Sequence, residues 1–418
     1  MQAWRDLWNL PRSIWVLFFA TLVNRTGTMA LPFLVLYLTR DAGFSVSEAG
    51  AVLAAYGGVA LLMGPIAGRL IDRVGARRVM QASLALTGLL QVAFPLASTP
   101  TSVVLLTMAW SATSEAYRPA GLSVTAELVE PGQRRQAYAL IRMAINLGMS
   151  IGPAVGGLLA AWDFRAVFVV DGITSLLAAA VLIGVGLGGV APAKGGSGDA
   201  VAAEAPVVSA PSDGLVALRD PRMRAFLVGL VVLAMVAFQG ESSMAVFLVD
   251  DLGLSTTTYG LLFTINTVLI VALEVPLTAA IARWDPHRTL ALGAFLYALG
   301  FGALGLVHDV WGVIASVVVW SFGEMVFSPT STAYVAEVAP EGQRGQYMGL
   351  YTSGYALAFM LAPLLGMLSL EHLGAGPHWA LVFVAGSVAT AILYGGAVRG
   401  GGEAILQGAE GRSGDRVG

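Results

Sequence analysis

Apolar runs of about 20 residues or more recur along the whole 418-residue chain, and a bilayer is the solvent that demands runs of that length. The approximate spans are 11–38, 46–70, 77–97, 101–128, 134–161 and 164–190, then 222–250, 256–282, 287–307, 310–338, 343–370 and 377–399. They exceed the roughly ten-residue alternating strands of an outer-membrane barrel. Lipid offers backbone groups no partner, so each run is expected to be a helix. Composition agrees: 56% of residues are apolar and 12% are charged, where a soluble domain carries about 25% charged. This balance argues against a water-soluble enzyme and a nucleic-acid binder. Net charge is −3 with no basic tract, so no polyanion partner is implied. Cys is absent and the four His fall in short polar breaks, so no metal site and no cofactor is expected.

The stretch 191–219 is rich in Ala, Gly, Pro and Ser and holds the sole lysine, Lys194. That is linker composition. The expected organisation is an N-terminal six-helix bundle (1–190), a linker (191–219), a C-terminal six-helix bundle (220–399) and a tail (400–418). A shift of 210 lays one half on the other. Gly43 to Gly50 falls on Gly253 to Gly260, Trp110-Ser111 on Trp320-Ser321, and Gly132-Gln133-Arg134 on Gly342-Gln343-Arg344. Matched Trp, Gln, Arg and Pro at one offset indicate a duplication, the plan of transporters with a site between two pseudo-symmetric bundles. With both termini and the linker on one side, that side collects 18 of the 23 basic residues and is expected to be cytoplasmic. No small-residue cleavage site follows the first apolar run, which reads as a retained helix of a bacterial-type inner-membrane protein.

Two motifs carry a resemblance. Between helices 2 and 3 the chain reads GPIAGRLIDRVGARR, containing Gly64, Gly68, Asp72, Arg73, Gly75, Arg77 and Arg78. From Gly68 onward it resembles the loop signature of the major facilitator superfamily, with Ala76 where a basic residue is usual. Helix 5 carries GMSIGPAVGGLL, with Gly148, Gly152, Pro153, Gly156 and Gly157, and is similar to that superfamily's antiporter signature. The usual helix-4 signature of drug antiporters is not recognisable. The resemblance implies twelve transmembrane helices, with helices 1, 4, 7 and 10 lining a central cavity. It also implies that Asp72 docks on the start of helix 11 near Gly342-Gln343, where free N–H groups and the helix dipole favour a carboxylate. The repeat position of Asp72 is Ala282, so one such latch is expected. Gly148, Gly152 and Gly156 line one helix face. They serve either as packing glue or as a smooth face on which the bundles rock.

Five charges fall roughly 16–28 Å from the cytoplasmic ends of their spans: Arg25, Glu115, Arg118, Glu241 and Glu324. A charge at that depth costs at least about 2.5–3.5 kcal/mol unless it faces protein or water. By the resemblance all five point at the cavity, joined by Asn24 and Gln239. Trp110 and Trp320 lie too deep for the interfacial belt and read as cavity walls. Trp4, Trp8, Trp162, Trp311 and Trp379 read as belt anchors. Glu115 and Arg118 are i, i+3 and either neutralise each other or serve the site. Asp171, near the outer end of helix 6, and Arg142 and Glu274, near inner ends, read as snorkelling or packing charges. Glu241 and Glu324 have no basic residue within a turn and read as the proton carriers, with Glu115 third. No nucleotide phosphate loop occurs. The expectation is a monomeric, proton-coupled efflux antiporter for hydrophobic or cationic small molecules. A proton-coupled importer of a small nutrient or organic anion, bound by Arg25 or Arg118, is the alternative.

Overall fold

A computed structural model describes residues 10–97, 99–185, 217–340 and 343–414, with the backbone alone for Pro131, Arg135, Ala217 and 396–414. Most of the expected linker, Trp4, Trp8 and Gly342 lie outside the described residues. Within them all regular structure is helical, in twelve long segments. The first half holds α1 (Arg12–Arg40), α2 (Val46–Val74), α3 (Ala76–Leu96), α4 (Pro100–Glu127), α5 (Arg134–Trp162) and α6 (Phe164–Gly184). The second holds α7 (Pro221–Asp251), α8 (Thr256–Ile281), α9 (Pro286–Leu306), α10 (Val310–Val338), α11 (Arg344–Leu373) and α12 (Ala375–Gly414). The last helix continues past 399 to Gly414. Eleven of the twelve are long and apolar enough to cross a membrane. The other, α4, matches them in length. Its run of Ser and Thr with Glu115 and Arg118 lowers its hydropathy. The protein is therefore an all-α polytopic membrane protein of two pseudo-symmetric bundles.

The repeat extends to helix starts. Ser45 accepts the N–H of Glu48 at the head of α2, with Glu48 returning the bond, and Ser255 accepts that of Thr258 at the head of α8. Thr99 and Asp309 do the same for α4 and α10. These caps satisfy donors that the first turn leaves free. The first helix of each half is broken at equivalent places. α1 stops at Gly27 and resumes at Ala30. α7 passes through a tight turn at Phe238–Glu241 before resuming at Ser243.

The halves meet through α2 against α11 and α5 against α8. Contact is closest at the face opposite the Arg-rich one. There Arg40 pairs with Asp250 and the Ser47 N–H donates to Glu371 at 2.7 Å. A Cβ at Gly50 would sit 2.8 Å from the Pro363 carbonyl oxygen, and one at Gly57 would sit 2.7 Å from Met360 Cα. Toward the Arg-rich face α2 and α11 separate: a Cβ at Gly64 or at Gly349 would meet nothing within 4 Å, and Leu62 on α2 is exposed. The molecule is thus closed at one face and parted at the other.

Candidate functional site

A cavity of about 500 Å³ lies between the halves and reaches into the first bundle. Its walls come mainly from α1, α3, α4, α5 and α6, with α8 and α10 opposite. Six of the residues expected at a site open onto it: Asn24, Arg25, Trp110, Glu115, Arg118 and Glu324.

Arg25 projects from the turn before the α1 break. Its guanidinium carbon lies 5.5 Å from the centroid of the Tyr117 ring, within cation–π range, and its Nε has no hydrogen-bond partner. Asn24 Nδ2 donates to Ser175 Oγ at 3.0 Å, tying α1 to α6. Glu115 and Arg118 both face the cavity, and among the described residues no ion pair within 4.0 Å joins them. Trp110 is a wall: it is buried, with its ring edge-on to Tyr56 at 5.4 Å. Glu324 opens onto the cavity from α10, and Asn266 of α8 donates to its carboxylate at 3.0 Å.

Three expected residues are elsewhere. Trp320 stacks on Phe301 at 5.4 Å, behind α10, and does not line the cavity. The reason is Gly300, whose missing Cβ lets α9 pack on the tryptophan. Gln239 is buried at the α7 break, donating to Met235 and Ala362 carbonyls and accepting from Ser243. Glu241 ends the tight turn of α7 and is not a cavity wall. Glu241 is thus outside the lining of the chamber onto which Glu324 opens. Trp162 and Trp311 are exposed as belt anchors are, but Trp379 is buried against Phe247.

The loop motif is split in character. Gly75 closes α2 with φ 93°, a conformation that side chains with a Cβ disfavour. Asp72, Arg73 and Arg78 are exposed, and no hydrogen bond joins Asp72 to the start of α11 among the described residues. Gly68 and Arg77 are half-buried. The helix-5 glycines turn inward. A Cβ at Gly148 would overlap Arg25, one at Gly152 would sit 3.2 Å from the carbonyl oxygens of Arg25, Thr26 and Thr28, and one at Gly156 would sit 2.8 Å from Met29 Cβ. That face therefore docks the broken α1 of its own bundle and is not a track between bundles. Ser150, Pro153 and Gly157 of the motif abut the other half, at Thr264, Gly260 and Thr256.

The sequence reading missed two features. Asn266 carried no signal beyond being polar within a span. Asp171 was set aside as lying near a helix end. It is 3% exposed and lines the cavity. Arg142 and Glu274, read as charges at helix ends, meet across the halves at 3.8 Å.

The family model described as Major Facilitator Superfamily matches residues 17–248 and 242–400. The "Na(+), Li(+), K(+)/H(+) antiporter" of Planococcus maritimus is 22% identical over 82% of this chain and 85% of its own. The "Multidrug resistance protein MdtH" of Edwardsiella ictaluri (strain 93-146) is 26% identical over 79% of this chain and 81% of its own. Among solved structures, the nucleoside transporter NupG superposes with a TM-score of 0.79 at 12% identity, covering 92% of this chain and 99% of that one. That likeness concerns the fold.

Proposed function

The chain belongs to the Major Facilitator Superfamily, and we propose that within it the protein is a proton-coupled antiporter exporting small hydrophobic or cationic molecules by alternating access. One observation carries this reading. Glu324 faces the cavity from the second half with a neutral amide, Asn266, as its hydrogen-bond donor. An acid so placed opens directly onto the chamber. It accepts a proton or a cationic group in turn, which is what exchange requires. Tyr56, Tyr117 and Trp110 supply aromatic faces for the rest of the ligand. The antiporter and the multidrug resistance protein among the relatives support the same reading.

In this proposal Glu324 carries the proton and Glu115 is the second acid of the chamber. Glu241 acts outside it, at the α7 break. Asp72 latches the Arg-rich face when that face closes. The Arg-rich face is cytoplasmic, the membrane is the bacterial inner membrane, and the two bundles (1–190 and 220–399) move about the linker (191–219) as monomeric units. The test is transport in liposomes under an imposed pH gradient. Glu324→Gln should abolish concentrative exchange of a cationic dye; if the variant still concentrates the dye, the coupling assignment fails. The second reading, import of an anion, rests on Arg25 and Arg118 facing the cavity with no acid within ion-pair distance among the described residues. Proton-driven uptake of an organic anion, lost in Arg25→Gln, would favour it over efflux.

A further inference from the structure

The α1 break is held by a buried acid. Asp171 Oδ2 accepts the N–H of Ala30, the first residue of the helical run Ala30–Arg40, at 3.0 Å, and shares that of Met29, at 3.3 Å, with the Gly27 carbonyl at 2.7 Å. Gln91 of α3 stands beside it on the cavity wall. One turn along α6, Ser175 holds Asn24 on the near side of the break. Between them, Thr174 fills the space where Gly27 would carry a Cβ. On the opposite flank the Gly152 backbone closes on the carbonyls of Arg25, Thr26 and Thr28. The break therefore has a fixed geometry, and that geometry aims Asn24 and Arg25 into the cavity.

The second half does without such an acid. In α6 Gly172 packs on Gly88, and in α12 Gly386 packs on Ala298, the repeat position of Gly88, so the residue that matches Asp171 is Ala385. The α7 break is braced by Gln239 and Ser243 of its own helix. A neutral brace does not titrate, whereas the brace of α1 is a carboxylate exposed to the transport chamber.

We propose that Asp171 is a positioning residue that couples protonation of the cavity to the bend of α1. Ionised, its charge and two accepted N–H bonds favour the positive end of Ala30–Arg40 and hold the break. Protonated, it loses the charge, the cap weakens, and Asn24 and Arg25 are freed to shift. The groups facing it are Arg25 from α1 and, from α5, Arg142 further along the cavity; α3 contributes Gln91 together with Ser83, Leu84 and Thr87. Across the chamber stand Tyr56, Glu115 and Arg118.

The inference rests on the proton-coupled reading, but its test needs no transport. The chain has no Cys, so Thr28→Cys places a single nitroxide label on the break. Its mobility is followed in lipid vesicles without substrate, from about pH 8 to about pH 5, a range over which perturbed acids titrate. Mobility should rise reversibly on acidification. The rise should vanish in Asp171→Asn, whose amide oxygen still accepts both N–H groups, and persist in Glu324→Gln. In transport, Asp171→Asn should flatten the pH profile. A label that titrates equally in Asp171→Asn, or not at all in the parent, overturns the proposal. Where Asp171→Asn does not fold, Asp171→Glu moves the carboxylate one methylene out. The midpoint should then shift, and an unmoved midpoint overturns the proposal as well. Loss of coupling in Glu324→Gln with an unchanged label titration separates this inference from the assignment of Glu324.

Discussion

The interfaces α2–α11 and α5–α8 are related by the 210-residue repeat, yet they diverge along their length. At the closed face they match residue for residue. Gly50 abuts the Pro363 carbonyl, and its counterpart Gly260 abuts the Pro153 carbonyl more closely still. Midway both remain in contact, through Gly57 on Met360 and through Thr264, whose hydroxyl donates to the Ser150 carbonyl at 2.8 Å. Toward the Arg-rich face they part. Glu274 meets Arg142 at 3.8 Å on α5–α8. The same repeat positions on α2–α11 are Gly64 and Thr352, and Gly64 faces open space. Small residues thus make a common seam at one end. The chemistry at the other end decides which interface opens first. The latch candidate follows the opposite distribution, since Asp72 stands on α2 and its counterpart on α8 is Ala282.

The largest effect is expected at the seam. In lipid, close backbone approach supplies the packing that the hydrophobic effect does not. An added methyl at Gly260 or Gly50 meets a carbonyl oxygen that has no rotamer to yield. Overpacking of this kind costs about 1–3 kcal/mol. Gly260→Ala should lower the thermal midpoint of detergent-purified protein more than Gly50→Ala, because its carbonyl is nearer. Both should expose the closed face to thiol labelling at an introduced Cys. Equal midpoints for the two variants and wild type would mean that the seam is not tight.

Much of this was legible before any coordinates. A span reports its length, and a gapless duplication reports its symmetry, because both are properties of residue type along the chain. Glu115, Arg118, Arg25 and Glu324 were found by the cost of burying charge, which holds wherever a helix points. Direction was not legible. Gln239 and Glu241 follow a helix that breaks, and at the break the Tyr259 hydroxyl of α8 donates to the Gly240 carbonyl and, across the two halves, to that of Pro32. Trp320 turned outward because Gly300 of a neighbouring helix made room. Asp171 was discounted by depth alone, since nothing local announces that a distant helix will present it with free N–H groups. The helix-5 glycines were recognised as a small face, but their partner was chosen by tertiary packing.

A smaller effect is expected at Asp72. It is exposed on the open side of α2–α11, so Asp72→Asn should leave the parted state unchanged. It should depopulate the state closed at the Arg-rich face. A carboxylate at a helix N-terminus contributes about 0.3–1 kcal/mol when exposed, which is at most about a fivefold change in population. Spin-label distances between the Arg-rich ends of α2 and α11 read this directly. An unchanged distance distribution under conditions that favour closure would remove Asp72 from gating and leave it as one charge among several arginines.

The smallest expected effect is also the most direct test of the comparison. Arg142 and Glu274 are 48% and 23% exposed, and pairs of that kind contribute about 0.2–1 kcal/mol. Glu274→Gln should therefore part α5 from α8 only slightly, by at most about fivefold in population, and added salt should mimic it in wild type. The converse graft asks more. Gly64→Glu with Thr352→Arg writes the α5–α8 pair into α2–α11 at the repeat positions, where there is space for the glutamate. If charge chemistry sets which interface opens, the double variant should shorten the α2–α11 distance at low salt and lose the gain at high salt. Either single substitution should do neither. A graft that leaves α2–α11 parted at every ionic strength would place the asymmetry in backbone packing, with the Arg142–Glu274 pair a consequence of α5 and α8 lying close.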